Sequence, residues 1–94
     1  MSQIDFRLLQ SAIVLAEELH FSNSASRLHL TQPGLTKQIQ DLESQLGVIL
    51  FVRSSQRVEL TEPCRVFVEN AQLAVFHLER AVHLTRASAK ERRS

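Results

Sequence analysis

A mainly α-helical domain with one small β-hairpin is the fold class predicted by the 94-residue sequence, and three observations predict it. Apolar residues recur at helical spacing through most of the chain. Between residues 48 and 60 the period shortens to β-branched and aromatic runs on either side of a polar loop. Two Gly and two Pro are the only strong breakers in a chain that is 44% hydrophobic and 22% charged, a composition that supports a packed core and argues against disorder. The length suits one domain with a modest core and leaves an ordinary catalytic domain cramped.

From about Asp5 to Leu19, the residues Leu9, Ala12, Ile13, Ala16 and Leu19 form one stripe, which predicts a first, core-forming helix. Ser22 is placed to cap a short second helix, Asn23 to His29, whose Ala25 and Leu28 turn inward. Thr31 is placed to cap a third helix, with Pro33 in the first turn where its missing N–H costs nothing. Leu35, Ile39, Leu42 and Leu46 follow at spacings of four, three and four, so one face of this helix is buried. Gly47 ends it, as a left-handed C-terminal residue does.

Val48–Val52 and Val58–Leu60, joined by the polar residues Arg53 to Arg57, read as a small hairpin. The five-residue apolar run also fits a continued buried turn. At Thr61, a capping residue with Pro63 in the following turn, the helical period returns and lasts to the end. Cys64, Val68, Ala71, Val75, Leu78, Val82, Thr85 and Ala89 alternate by four and three, the signature of a coiled-coil seam. At about 1.5 Å per residue this helix outruns what the remaining chain can cover, so its stripe needs a partner. The sequence therefore predicts a homodimer that meets through Cys64, Val68, Ala71, Val75, Leu78 and Val82. Phe67, Leu73, Phe76 and Leu84 lie off that seam and are assigned to the first helix of the same or the neighbouring subunit. The expected boundaries are 1–60 for the compact part and 61–94 for the dimerising helix.

Two helices joined by a tight turn, the second opening with small polar groups, form a helix-turn-helix, and the hairpin after it makes a wing. The exposed face of the third helix carries Gln32, Thr36, Lys37 and Gln40 and no carboxylate. Gln32 and Gln40 suit an adenine edge, Lys37 a guanine, and Thr36 a base or a thymine methyl. The N–H groups at the start of that helix favour phosphate oxygens, and Arg53 and Arg57 in the wing reach a backbone or a minor groove. The same pattern describes a solvated helix face with idle surface arginines, so pattern alone leaves both readings open.

Charge does not choose between them. The net charge is +1, and Arg86, Lys90, Arg92 and Arg93 concentrate the positive charge near the end, leaving the rest mildly acidic. His20, His29, His77 and His83 are scattered, without Cys or carboxylate at zinc spacing and without a nucleophile paired to a base. No catalytic residue, metal site or cofactor is predicted. Cys64 is the only cysteine and falls on an apolar stripe, where a thiol acts as a small hydrophobe. With no bilayer-length apolar run and no signal-peptide pattern, a cytoplasmic protein with no membrane partner is expected.

Ala16-Glu17-Glu18 with Phe21, then Ala25 and Leu28, the run from Thr31 through Gln32-Pro33-Gly34-Leu35-Thr36-Lys37-Gln38 to Ile39, Leu42-Glu43, Leu46-Gly47, Leu50-Phe51, Arg53 and Leu60-Thr61 together resemble the LysR-type family of bacterial transcription regulators. The similarity covers nearly the whole chain. It implies a winged helix-turn-helix, three helices plus a small β-hairpin wing, followed by a long dimerising linker helix. It further implies a homodimer that binds double-stranded DNA at a dyad-symmetric operator and regulates transcription. The DNA contacts implied are Thr31, Gln32, Pro33, Thr36, Lys37 and Arg53; helix geometry adds Gln40, and Ser22 at the start of the second helix is counted with them. A larger C-terminal effector-binding domain is also implied, so an effector ligand would need that missing part, and the chain is expected to be an isolated fragment or an unusually short member. Ser24 replaces a usual alanine, Ala12 a common phenylalanine, Thr36 a serine and Pro63-Cys64 an Ala-Gly pair, the last bearing on the tilt of the linker helix. From another functional class, the heptad helix also suits a protein-interaction module whose helix-turn-helix is only a scaffold.

Overall fold

The computed structural model describes residues 4–55 and 57–93, with side-chain surroundings through residue 90, so Gln56 of the expected loop and the side chains of Arg92 and Arg93 lie outside it. Helix α1 (Phe6–Glu18) is capped by Asp5, whose carboxylate accepts the Leu8 N–H at 3.1 Å, and closes on Leu19 at φ 54°. Its buried side is Leu8, Ser11, Ala12, Val14 and Leu15. The expected stripe is therefore corrected: Leu9, Ile13 and Ala16 are only partly covered and Leu19 is 40% exposed. Two overlapping stripes fit the helical period here, and contact with the other helices selects the one through Leu8 and Leu15.

Helix α2 (Phe21–Arg27) begins two residues before the expected start, because His20 and not Ser22 caps it: the imidazole Nδ1 accepts the Asn23 N–H at 3.0 Å. A ring nitrogen does here what a hydroxyl oxygen does at most caps. Phe21 and Ala25 enter the core, and the chain turns through His29 at φ 60°. Helix α3 (Gln32–Leu46) starts and stops as the sequence predicts. The Thr31 hydroxyl accepts the Gly34 N–H at 3.1 Å, and Gly47 takes the left-handed conformation at φ 72°. A Cβ on Gly34 would stand 3.0 Å from that hydroxyl oxygen, so the close approach favours glycine.

Strands β1 (Phe51–Arg53) and β2 (Val58–Leu60) pair antiparallel, with Phe51 opposite Leu60 and Arg53 opposite Val58. Val48 and Ile49 precede the ladder and are exposed. Helix α4 (Glu62–Arg93) follows, its Cys64 N–H capped by the Thr61 hydroxyl at 3.2 Å. Leu15, Leu35, Leu42, Leu50 and Cys64 form the centre of the core, so all three layers, α1, α3 with the hairpin base, and α4, meet there. Across it, the Ser11 hydroxyl donates to Oε1 of Gln38, tying α1 to α3.

The seam expected on α4 needs correction. Cys64, Val68 and Ala71 are buried in the chain's own body, Cys64 and Val68 in one cluster with Leu8, Ala12 and Leu15. The first half of α4 lies across α1, and the stripe nearest the body is consumed there. Val75 is half-buried, whereas Leu78 and Val82 are exposed. Of the residues assigned to a docking face, Phe67 packs against the core, while Leu73, Phe76 and Leu84 are about half exposed at 54%, 53% and 51%. Thirty-two helical residues carry α4 well past the body, in a molecule measuring 59 × 27 × 19 Å.

Candidate nucleic-acid interface

The first turn of α3 lies at the junction of two adjoining clefts. One is lined by Gln32, Pro33, Thr36, Lys37 and Gln40. Spacings of one, three, one and three place these five along one side of α3, opposite the buried Leu35, Ile39 and Leu42. Gln32, Pro33, Lys37 and Gln40 are exposed and Thr36 is half-buried, so most of this side is open to solvent. The other cleft is lined by Ser22 of α2, Gln32 of α3, and Arg53, Ser54, Ser55 and Arg57 of the wing, with His20 and Phe21 also in its lining. Gln32 borders both.

Seven of the eight side chains named from the sequence thus share one continuous surface. Thr31 stands at its edge, exposed, with its hydroxyl oxygen accepting the Gly34 N–H. Because α3 opens at this point, the positive end of its dipole faces the surface and favours an anion.

Arg53 is held in a defined pose. Its guanidinium carbon lies 4.1 Å above the centre of the Phe21 ring, a cation–π stack that joins the end of β1 to the first residue of α2. Phe21 is itself anchored in the core. The stacked face of the guanidinium is therefore fixed while its edge stays in solvent, available for a bidentate contact. Arg57, across the hairpin, pairs with Glu59 at 3.4 Å, an exposed ion pair of small energetic weight. The hairpin end is tightened by the Ser54 hydroxyl, which donates to the Arg57 carbonyl at 3.1 Å and accepts the Arg57 N–H at 3.2 Å.

His20, Phe21, Ser54 and Ser55 were not singled out as interface residues from the sequence. No local pattern announces that Arg53 in the wing, far along the chain, stacks on Phe21. Among the described residues no three His, Cys, Asp or Glu side chains cluster as metal ligands, and no helix is long and apolar enough to cross a membrane.

Residues 6–65 match the family described as bacterial regulatory helix-turn-helix protein, lysR family. The regulator AlsR of Bacillus subtilis is 38% identical over 87 residues, covering 93% of this chain and 29% of its own length. ShiR of Corynebacterium glutamicum is 48% identical over 69 residues, 73% of this chain and 23% of its own. The chain thus spans less than a third of these relatives. Among solved structures, the CbnR DNA-binding domain in complex with DNA superposes with a TM-score of 0.87 at 38% identity, covering 92% of this chain and 99% of that one. The BenM DNA-binding domain on its catB site 1 DNA gives 0.87 at 31% identity, covering 92% and 96%. The match runs from the start of α1 through the wing to the first turn of α4, and the chain belongs to the lysR family of bacterial regulatory helix-turn-helix proteins.

Proposed function

We propose that this chain is a sequence-specific DNA-binding domain that acts as a homodimer on a dyad-symmetric operator in the bacterial cytoplasm and regulates transcription. The observation that carries the reading is the continuous surface on which the exposed side of α3 meets Ser22 and Arg53. Its residues supply donors and acceptors for base edges in the major groove, with a stacked arginine beside them for the backbone or minor groove. That CbnR and BenM domains of the same fold are seen bound to DNA supports it. Residues 1–60 hold the DNA-reading part and 61–94 the helix that joins two subunits. We assign Ser22, Thr31, Gln32, Pro33, Thr36, Lys37, Gln40 and Arg53 to DNA. The dimer contact we assign to the part of α4 beyond the body, with Val75, Leu78 and Val82 on one side and Leu73, Phe76 and Leu84 on the other. An effector would act on a further domain such as the relatives' greater length has room for.

Selection of duplexes from a random pool by the whole chain tests this reading. Enrichment of inverted half-sites spaced by about 10 base pairs, or a multiple of that, is expected. A pool that stays random through repeated rounds overturns the reading and leaves the protein-interaction module.

A further inference from the structure

The base of the wing contains a carboxylate that DNA contact does not use. Glu43, half-buried on α3, accepts the Leu50 N–H at 2.7 Å and the Phe51 N–H at 3.3 Å on the same oxygen, Oε2. Its backbone carbonyl takes the Gly47 N–H at 2.8 Å and the Val48 N–H at 3.3 Å. A single residue of α3 therefore gathers the backbone donors of the segment that leads into the wing. The carboxylate bonds are charge-assisted, and they act where neither strand partner nor helix supplies an acceptor. On its other side the same segment is held by Thr61, whose hydroxyl donates to the Ile49 carbonyl at 2.7 Å and lies 3.2 Å from that of Leu50.

Phe51 opens β1 and Arg53 ends it. Two residues of extended chain are stiff and short, about 7 Å, so the position of the Phe51 amide fixes where Arg53 begins. Glu43 also belongs to the helix that carries Lys37 and Gln40. The bond from Oε2 to Phe51 is thus a direct mechanical link between the helix that faces bases and the strand that carries the wing cation.

We propose that Glu43 is a positioning residue for DNA recognition, holding the wing so that Arg53 and the exposed side of α3 engage one duplex in a fixed register. This rests on the DNA-binding reading above. Charge alone predicts the opposite effect: a carboxylate near a polyanion repels it, and removing that carboxylate would tighten binding.

The test uses the whole chain and a duplex enriched by the wild type from the random pool. Affinity is measured for wild type, Glu43→Ala, Arg53→Ala and the double variant. Glu43→Ala is expected to weaken binding about tenfold, and the cost of Arg53→Ala, several-fold in the wild type, is expected to fall below about twofold in its background. The slope of log K against log salt should drop by about one phosphate contact in Glu43→Ala. Glu43→Gln retains an acceptor oxygen and is expected to recover most of the loss. An equal cost of Arg53→Ala in both backgrounds means Glu43 only stabilises the fold and overturns the proposal, as does tighter binding by both Glu43 variants. If circular dichroism shows Glu43→Ala unfolded, the cycle is run with Glu43→Met, which keeps the length of the side chain without its acceptor oxygens; a cost of Arg53→Ala undiminished in that background overturns the proposal. Wild-type protein that enriches no duplex rejects the DNA-binding reading itself, a separate result.

Discussion

Lys37 and Arg53 stand on the same surface but are held differently, and their variants should separate accordingly. Lys37 projects from α3 with no hydrogen-bond or ion-pair partner among the described residues, and we assign it to choosing a base; Arg53 is stacked on Phe21, and we assign it to register. Lys37→Ala is expected to cost about 1–3 kcal/mol on the selected duplex and less on unrelated DNA, whereas Arg53→Ala weakens both alike. Fluorescence anisotropy on the two duplexes decides this, and equal affinities for wild type and both variants would reject the residue assignment. Ser24 is a different case: its hydroxyl is fully buried without a hydrogen-bond partner among the described residues. Removing an unsatisfied buried polar group and gaining helix propensity should make Ser24→Ala more stable by about 1 kcal/mol, read by urea denaturation; a loss of stability would show that the hydroxyl has a partner after all. At Cys64, burial pushes the thiol from 9.0 up to about 11, with Glu43 adding to the shift and Arg65 opposing it. An unfolded chain then releases this proton at lower pH than the folded one, so the thiol's contribution to stability is intact below pH 9 and is lost as pH rises toward 11. The stability of wild type relative to Cys64→Ala is expected to decline across that interval in thermal melts; parallel curves would contradict the shift.

Elements are joined at Ile49–Phe51, where the end of α3, the start of β1 and the cap of α4 converge. Thr61 serves two of them, capping α4 through the Cys64 N–H while its hydroxyl hydrogen reaches the Ile49 carbonyl. Thr61→Val keeps the shape and loses both roles, so a cost of about 1–2 kcal/mol is expected in urea unfolding. A valine variant as stable as wild type would mean that water replaces the hydroxyl at no cost. Helix and wing starts divided in how far they could be read. Thr31 with Pro33, and Gly47, announce the bounds of α3 because each residue type satisfies a local backbone need on its own. The α2 start was misplaced because His is an uncommon cap, and its ring nitrogen works here only because the backbone at φ −152° brings it to the Asn23 N–H.

On the scale of the molecule, α4 is an arm that leaves the body with apolar residues on both flanks. Leu73 and Phe76 remain more than half exposed, a surface that a lone chain leaves wet at a cost of about 25 cal/mol per Å². Charged substitution at both, Leu73→Glu with Phe76→Glu, is expected to shift sedimentation from dimer to monomer while the helical circular dichroism persists. A dimer that survives would move the contact to Leu78 and Val82. Loss of the dimer should also weaken binding to a dyad-symmetric duplex far more than to a single half-site, since the second contact becomes bimolecular.

The helical period, the caps and the turn residues are properties of short stretches, and from them the sequence by itself determined the order of elements, the buried Leu35, Ile39 and Leu42, and the bare polar side of α3. What it could not determine is which of several equally periodic stripes a helix spends on its own domain. Both Leu9–Ile13 and Leu8–Leu15 satisfy the period of α1, and the stripe from Cys64 to Val82 is uninterrupted along α4. Only the packing of α1 against α4 decided that Leu8, Leu15, Cys64, Val68 and Ala71 go inside, because burial is awarded by contact across the chain and not by spacing within it. For the same reason the stack of Arg53 on Phe21 and the grip of Glu43 on the wing belong to the tertiary structure alone.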